Sequence, residues 1–223
     1  MKIIFYLVRH GQTFFNKYNK LQGWSNSPLT KGGIKIAKET GEKLSHINFF
    51  SAFCSDTPRA SKTAQIILKK NKNRENIPLI TLPNFREEFY GSYEGSNMDK
   101  AWLEAGAPYG LKTYKQIVMK FGLSATKDLL KKADPWHDAE NNKEYWQRMN
   151  KGFEKIIKRV RAKRNNKTNV LLISHGNTLL SLADKYGRGK IKIENRPKNG
   201  SISKLLYNEG KFNFITFNDH LLQ

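Results

Sequence analysis

Two apolar runs with the same ending stand out in the hydrophobic pattern of this chain. Residues 3–8 are apolar throughout and lead into Arg-His-Gly at 9–11, and residues 170–173 lead into Ser-His-Gly at 174–176. A short apolar run bounded by glycine is typical of a buried strand. Ligands bind at the carboxyl ends of strands in open α/β sheets, so the pattern predicts both histidines at the ligand-binding edge of one sheet.

Helix and strand patterns alternate along the rest of the chain, which predicts an α/β fold with a largely parallel sheet. Thr30 and the Thr57-Pro58 pair are signals for helix starts, and apolar residues spaced by three and four over 145–160 indicate one long amphipathic helix. The predicted elements are, in order, a helical turn from Thr13, a helix over 30–44, a strand over 49–54, a helix from 58, a strand over 79–82, the long helix, the strand that leads to His175 with a helix after it, and a hairpin of strands over 202–207 and 212–217.

The segment over 96–138 has an irregular helical pattern because glycines and prolines interrupt it. We interpret it as an excursion from the core and predict one domain over 1–223 with a helical, cap-like insertion at about 96–140. For the tryptophans in or after this segment we favour packing over contact with a substrate: Trp102, Trp136 and Trp146.

Composition predicts a folded, cytoplasmic protein. The 223 residues are 38% apolar, and no apolar run approaches the roughly 18 residues of a membrane span. The N-terminal apolar run is too short for a secretory signal, and a single cysteine fits a reducing compartment. Cys54 closes an apolar strand, so we predict a buried structural thiol and not a nucleophile.

The formal net charge of +21 allows two interpretations. Nucleic acid or an anionic membrane would attract such a charge, but the lysines are spread from Lys2 to Lys211 without a basic stripe interleaved with aromatic residues. We favour a generally lysine-rich surface, with weak, salt-sensitive binding to polyanions as a secondary property and no membrane partner. In either case the positive field favours anionic substrates.

Five side chains at predicted strand ends or adjoining turns form a candidate site: Arg9, His10, Arg59, Glu87 and His175. The two arginines match the oxygens of a phosphate group as planar, bidentate donors. One neutral imidazole can attack phosphorus while the other donates to the phosphate oxygens, and a carboxylic acid can protonate the leaving oxygen and then deprotonate water. We expect the backbone N–H groups of Gly11 and Gly176 to begin helical turns and to add anion-binding donors.

Three motifs together resemble the histidine phosphatase superfamily, which has the phosphoglycerate mutase-like fold: Arg-His-Gly at 9–11, Ser-Asp-Thr-Pro-Arg-Ala at 55–60 and Ser-His-Gly at 174–176. Asn16 and the segments over 22–30 and 87–95 match as well. The resemblance covers about the first 95 residues and the last 60. It implies a three-layer α/β/α sandwich with a mostly parallel sheet and a helical insertion.

The resemblance also implies roles for individual residues. His10 becomes the phosphorylated nucleophile. The phosphate pocket then contains Arg9, Arg59 and His175, and Asn16 is an additional contact.

The acid of the family lies four residues before the glycine of its segment, which selects Glu87 over its neighbour Glu88. The resemblance implies neither a metal nor a cofactor, and arginines beside the two motif histidines would repel a cation. The remaining histidines lie outside the matched motifs, and we predict them at the surface: His46, His137 and His220.

Two segments favour hydrolysis over a mutase reaction. Phosphoglycerate mutases of the family usually have Glu-Ser-x-Trp-Asn after the first motif and Glu-Arg-His-Tyr-Gly around the acid, whereas this chain has Gln-Thr-Phe-Phe-Asn at 12–16 and Glu-Glu-Phe-Tyr-Gly at 87–91. We therefore predict a metal-independent hydrolase that acts on a small phosphorylated substrate. A cofactor-dependent phosphoglycerate mutase is the first alternative, and a non-enzymatic protein that binds phosphorylated ligands or nucleic acid is the second. The kind of phosphate ester and the oligomeric state are left open.

Overall fold

The computed structural model describes residues 1–163, 167–191, 193 and 196–219. His46 and His137 are exposed, as predicted, and His220 lies outside the described residues. No helix in these ranges is both long enough and apolar enough to cross a membrane.

Six strands in the described ranges form one sheet, in the order β3-β2-β4-β1-β5-β6. The strands are β1 (Lys2–Arg9), β2 (Ser51–Cys54), β3 (Leu79–Thr81), β4 (Lys167–Ser174), β5 (Ile202–Asn208) and β6 (Lys211–Asp219). The first four strands in that order pair in parallel, and the hairpin of β5 and β6 adds two antiparallel strands beside β1. This mixed sheet confirms the predicted α/β class.

The register between β1 and β4 is what brings the two His-Gly motifs together. Arg9 pairs with Ser174 as the last residue of each strand, so His10 and His175 leave adjacent strands at the same level. The backbone N–H of His10 also donates to the Ser174 carbonyl oxygen at 3.0 Å. The prediction that both histidines lie at one edge of the sheet is therefore confirmed.

The helices with a start signal in the sequence, near Thr13, Thr30 and Pro58, begin where it predicts. They are α1 (Phe14–Lys17), α2 (Lys31–Lys43), α3 (Pro58–Leu68), α4 (Met98–Gly106), α5 (Tyr114–Phe121), α6 (Leu123–Ala133), α7 (Asn142–Ala162) and α8 (Gly176–Tyr186), and single 3₁₀ turns lie at Arg74–Asn76, Pro83–Phe85, Gly91–Tyr93 and Ala107–Tyr109. Thr30 caps α2 by accepting from the Gly33 N–H at 2.9 Å. Thr57 occupies the N-cap position of α3 without a side-chain capping bond, because its hydroxyl pairs with that of Ser55.

Helices cover both faces of the sheet, which confirms the three-layer arrangement. On one face α7 and α8 pack on β1, with Phe153 of α7 making edge contacts with Phe5 and Phe85 at centroid distances of 5.4 and 5.2 Å. On the other face the end of α2 and the apolar side of α3 pack against the alternate residues of the strands. Cys54 lies buried in this second layer, and burial raises the pKa of its thiol to about 12, so it stays protonated, as expected of a structural cysteine.

The insertion consists of α4, α5 and α6, which share a small hydrophobic cluster around the buried Trp102. Tyr90 and Tyr93 join this cluster from the segment after β3, so the insertion packs directly on the chain that carries the predicted acid. Trp136 is 71% exposed, so the packing predicted for it is wrong, whereas Trp146 of α7 packs beneath the Lys185 ammonium at 3.8 Å from the ring centroid. We call residues 96–138 the cap below.

Candidate active site

The ring of His10 has a fixed tautomer. His10 is buried just beyond the end of β1, and its Nδ1 lies 2.8 Å from the carbonyl oxygen of Gly11. A carbonyl oxygen only accepts hydrogen bonds, so Nδ1 carries the proton of the neutral ring. The lone pair is therefore on Nε2, which is free to act as a nucleophile.

The ring of His175 has the opposite tautomer. His175 is fully buried at the N-cap of α8, and its Nδ1 lies 3.1 Å from Nη2 of Arg59. A guanidinium only donates, so Nδ1 accepts and Nε2 carries the proton. With centroids 5.2 Å apart, the two rings place a lone pair and an N–H donor in one site.

Both imidazoles are held neutral. Burial, followed by the charge of Arg59, lowers the pKa of His10 and of His175 well below the usual value of about 6.5. A protonated imidazole has no free lone pair, so these environments preserve the lone pair on His10 Nε2 at neutral pH.

Arg59 is held in place by backbone oxygens. Its Nη1 donates to the Ser25 carbonyl at 2.9 Å, and its Nη2 donates to the carbonyls of Gly23 at 2.6 Å and Gln22 at 3.3 Å. The side chain is only 1% exposed although it stands in the first turn of α3. A loop of the chain, and not solvent, therefore sets its orientation.

One carboxylate holds that loop. Glu94 accepts hydrogen bonds from the backbone N–H groups of Gly23 at 3.0 Å, Trp24 at 2.7 Å, Ser25 at 3.1 Å and Tyr90 at 3.2 Å. It accepts a further short bond from the Ser25 hydroxyl. Glu94 thus fixes the carbonyl groups that orient Arg59, a role that the sequence analysis did not identify.

Three buried N–H donors beside His10 have no hydrogen-bond partner within the described residues: Arg9 Nε, Arg59 Nε and His175 Nε2. An unpaired buried donor costs about 1–3 kcal/mol, so such groups are rare unless a ligand uses them. Arg9 lies so close to the start of α8 that a Cβ added at Gly176 would be 3.0 Å from Arg9 Nε. Donors of this type and charge suit a phosphate group.

The predicted acid is anchored to the start of α8. One oxygen of Glu87 accepts from the Asn177 backbone N–H at 2.8 Å, and the other accepts from the Thr178 hydroxyl at 2.9 Å and the Glu88 N–H at 3.1 Å. Glu88 is fully buried and accepts from the Asn177 side-chain amide at 2.7 Å. Burial raises the pKa of Glu88 to about 8, so this carboxyl group is largely protonated at neutral pH.

Comparison with known proteins agrees with this arrangement. A model of the histidine phosphatase superfamily (branch 1) matches residues 5–220. The chain belongs to this superfamily.

Relatives within the superfamily carry the names of both mutases and phosphatases. A 2,3-bisphosphoglycerate-dependent phosphoglycerate mutase from Gloeobacter violaceus is 32% identical over 177 residues, which is 79% of this chain and 72% of that protein. The fructose-2,6-bisphosphatase TIGAR from Xenopus laevis is 41% identical over 90 residues, which is 40% of this chain and 33% of that protein. The crystal structure of a phosphoglycerate mutase from Bacillus anthracis superposes with a TM-score of 0.88 and 30% identity, covering 98% of this chain and 93% of that chain.

A cavity of about 470 Å³ opens from the His-Gly strand ends of this histidine phosphatase superfamily member towards the cap. Predicted site residues in its lining are Arg9, His10, Asn16, Glu87 and Gly176, whereas Glu88 is not in the lining. Arg59 and His175 are buried next to His10 and do not line the cavity themselves.

The geometry does not support the role predicted for Gly11. Its N–H donates to the Thr63 hydroxyl at 3.0 Å, and the nearest helix, α1, begins only at Phe14. Glycine is required here because a Cβ would lie 2.4 Å from the Gly33 carbonyl oxygen. Gly11 therefore allows β1 and α2 to approach each other, while Gly176 does begin a helix, as predicted.

Several lining residues escaped the sequence analysis. Gln22 contributes a buried side-chain N–H₂ group without a partner in the described chain, and Asn177 stands directly after the second His-Gly pair. The position of Asn177 was a usable signal, because the residue after a glycine at a helix start faces the same edge. Tyr90, Tyr114 and Arg196 also line the cavity, and no periodic pattern marks them.

Within the described ranges, no group of three or more histidine, cysteine or acidic side chains is arranged to hold a metal ion. The polar groups around His10 are mainly donors and cations, which suit an anion.

Proposed function

We propose that the protein hydrolyses phosphomonoesters through a phosphohistidine on His10. The observation that carries this proposal is the pair of opposite, fixed tautomers: a lone pair on His10 Nε2 beside an N–H on His175 Nε2. A nucleophile and a donor to the phosphate oxygens are the two functions that the reaction requires of its imidazoles.

In the first step, His10 Nε2 forms a bond to phosphorus while the bond between phosphorus and the ester oxygen breaks. Glu87, which lines the cavity, gives its proton to the leaving oxygen, and the alcohol departs. The unpaired N–H groups of Arg9, Arg59 and His175 donate to the oxygens of the phosphoryl group as it is transferred.

In the second step, a water molecule attacks the phosphohistidine and the bond between phosphorus and Nε2 breaks. The Glu87 carboxylate takes one proton from that water, which restores the acid for the next cycle. Inorganic phosphate leaves, and His10 regains the lone pair that its bond to Gly11 O maintains.

The geometry favours Glu87 over Glu88 as the acid. Glu87 lines the cavity and is oriented by three donors. Glu88 is fully buried outside the cavity lining and orients the side chain of Asn177 instead.

A phosphoglycerate mutase reaction is the second candidate, and the named relatives favour it. A mutase must hold its phosphorylated intermediate away from water while the substrate turns over in the site. Of the described cap residues, Lys115 is the one cation in the cavity lining, while Arg9, Lys20 and Arg196 line it from outside the cap. The support for hydrolysis is the sequence at 12–16 and 87–91, which differs from the usual mutase pattern.

The test is hydrolysis of p-nitrophenyl phosphate in excess EDTA by the wild type and by His10→Ala, combined with mass spectrometry of the acid-quenched and the base-quenched protein. We expect wild-type turnover, a mass increase of one phosphoryl group that survives base and not acid, and loss of both in the variant. Turnover that persists in His10→Ala contradicts the proposal. Turnover of phosphoglycerate only with a bisphosphate primer, without release of phosphate, would establish the mutase instead.

A further inference from the structure

A second arginine, Arg196, lines the cavity next to Arg9, whose Nη1 donates to the carbonyl oxygen of the adjacent Pro197 at 2.7 Å. Arg196 lies between α8 and β5, and its guanidinium stacks over the Tyr114 ring at 4.8 Å from the centroid. Its Nη1 donates to the Met98 sulfur at 3.0 Å. Tyr114 and Met98 both belong to the cap, so the cap determines where this guanidinium points.

That guanidinium is hydrogen-bonded with the Tyr114 side chain but has no carboxylate partner among the described residues. Arg196 Nη2 is buried without a hydrogen-bond partner among the described residues, and no salt bridge within them includes Arg196. By contrast, Arg86 and Arg148 each bind a carboxylate at 2.6 Å. Arg196 has the Met98 sulfur and the ring and hydroxyl of Tyr114 as contacts, but no carboxylate pairs with its planar fork as one does with Arg86 and Arg148.

The charges around the cavity are also unbalanced. Four cationic side chains line it, against two carboxylates: Arg9, Lys20, Lys115 and Arg196 with Glu87 and Asp99. Asp99 already accepts from Asn19 at 2.7 Å, and Glu87 is bound to α8. Burial lowers the pKa of Arg9 to about 10, and repulsion by Arg196 contributes to this decrease. Glu87 attracts both arginines, so one carboxylate faces two guanidinium groups there.

We propose that Arg196 binds a second anionic group of the substrate, so that the preferred esters carry a carboxylate or a second phosphate in addition to the phosphoryl group that is transferred. This inference rests on the proposed hydrolase function and names the class of its substrates. The cavity volume suits a small molecule. Arg9 then binds the reacting phosphoryl group, and Arg196 binds the second anion.

The test compares esters that differ only in the second anion. The first pair is 2-phosphoglycolate and 2-hydroxyethyl phosphate, and the second is fructose 1,6-bisphosphate and fructose 1-phosphate. We expect the wild type to prefer the doubly anionic member of at least one pair, and Arg196→Gln to reduce that ratio of kcat/KM by about 10- to 100-fold, the range for lost charge-assisted hydrogen bonds. Arg196→Lys should restore part of the ratio. The pair that shows the preference identifies the second anion as carboxylate or phosphate.

Lys198→Gln is the matched control, because it removes one positive charge two residues away from an exposed position that is not in this cavity. Its ratios should equal those of the wild type. Equilibrium binding of the first pair to His10→Ala, which cannot turn over, gives a readout without activity, and the doubly anionic member should bind more tightly only while Arg196 is present.

Two results would overturn the inference. If the wild type hydrolyses both members of each pair equally well, no second-anion site exists. If Arg196→Gln lowers kcat/KM by the same factor for both members, the residue supports the cavity wall and does not recognise an anion. If no ester is hydrolysed by the wild type, the proposed function itself fails, while the binding comparison still decides whether Arg196 recognises the second anion.

Discussion

The two ends of the cavity are built in different ways. At the inner end, beside the strand ends, the reacting groups are oriented largely by the backbone: His10 by the Gly11 carbonyl, Arg59 by three carbonyls, and Glu87 by the amide of Asn177 together with two further donors. On the side formed by the cap, which we call the outer end, Arg196 is held by the Tyr114 side chain and the Met98 sulfur.

This difference separates chemistry from selectivity. Backbone contacts fix geometry whatever the neighbouring side chains are, so under the proposed function the inner end would provide the same reaction for every ester that reaches it. Side-chain contacts change with each substitution in the cap, so the outer end can choose among esters. Substitutions at the inner end should therefore lower kcat/KM equally for singly and doubly anionic esters, and substitutions at the outer end should change the ratio between these two kinds of ester.

The largest effect is expected for Glu87→Gln at the inner end. The amide cannot donate an acidic proton to the leaving oxygen, so kcat for alkyl phosphates should fall by about 10²- to 10⁴-fold. The loss for p-nitrophenyl phosphate should be smaller, because its leaving group needs little protonation. Rates for both ester types at one pH provide the measurement.

Glu88→Gln is the control for that experiment. Since Glu88 is largely protonated at neutral pH and its oxygen accepts from Asn177, a neutral amide of the same shape should preserve activity. A greater loss in Glu88→Gln than in Glu87→Gln, or equal losses for alkyl and nitrophenyl esters, would count against Glu87 as the acid.

A smaller loss is expected for Glu94→Gln, which acts on the inner end through the loop that holds Arg59. Its carboxylate accepts from several backbone N–H groups, and an amide nitrogen in place of one oxygen would face those donors. We expect the inhibition constant for inorganic phosphate to rise by roughly 10-fold, with kcat/KM falling by a similar factor for both members of an ester pair.

Two further variants serve as comparisons for Glu94→Gln. Ser25→Ala removes a single donor to Glu94 and should produce a weaker effect of the same kind. Glu39→Gln removes an exposed carboxylate and should produce none. Unchanged phosphate inhibition in Glu94→Gln would show that the loop does not need this carboxylate to orient Arg59.

The neutral histidines of the inner end also predict a dependence of stability on pH. The pKa of His10 is lower in the folded chain than in the unfolded chain, so the unfolded chain binds a proton first as the pH falls through about 6.5. The stabilisation is therefore present above that pH and is lost below it, by about 1 kcal/mol between pH 7 and 5.5. Between pH 7 and 5.5 the free energy of unfolding of His10→Gln, measured with urea, should therefore fall by about 1 kcal/mol less than that of the wild type.

Glu88 contributes with the opposite sign and must be separated in that measurement. Its raised pKa means that the folded chain keeps a proton that the unfolded chain has released, so its contribution is present at low pH and is lost as the pH rises towards about 8. Comparing each variant with the wild type separates the contribution of His10 from that of Glu88. His46→Gln, which removes an exposed histidine, should follow the wild type. If the stability of His10→Gln depends on pH in the same way as that of the wild type, His10 is not the source of the pH dependence.

The same division between the two ends explains what the sequence could predict. The inner end follows from local signals: an apolar run that stops at a histidine, and a proline that starts the helix of Arg59. The outer end does not, because Arg196 meets Tyr114 only after the cap has packed, and neither residue lies in a pattern of its own. Prediction from sequence also fails for Gly11 at the inner end. In the sequence Gly11 looks like a turn residue, but glycine is needed there because the chain approaches Gly33 closely in the fold.

The smallest expected effect concerns Lys115, the cap lysine in the cavity lining. Lys115 is exposed, whereas the Nη2 atom of Arg196 is buried, so salt should screen the attraction of Lys115 to a second anion much more strongly. Lys115→Gln should lower the kcat/KM ratio of the phosphoglycolate pair by about two- to threefold at low ionic strength, and the difference from the wild type should disappear near 0.5 M salt. Lys112→Gln, exposed on the same segment and outside the lining, should leave the ratio unchanged. If the effect of Lys115→Gln persists at high salt while that of Arg196→Gln vanishes, then the recognising cation belongs to the cap, and the outer end is organised the other way round.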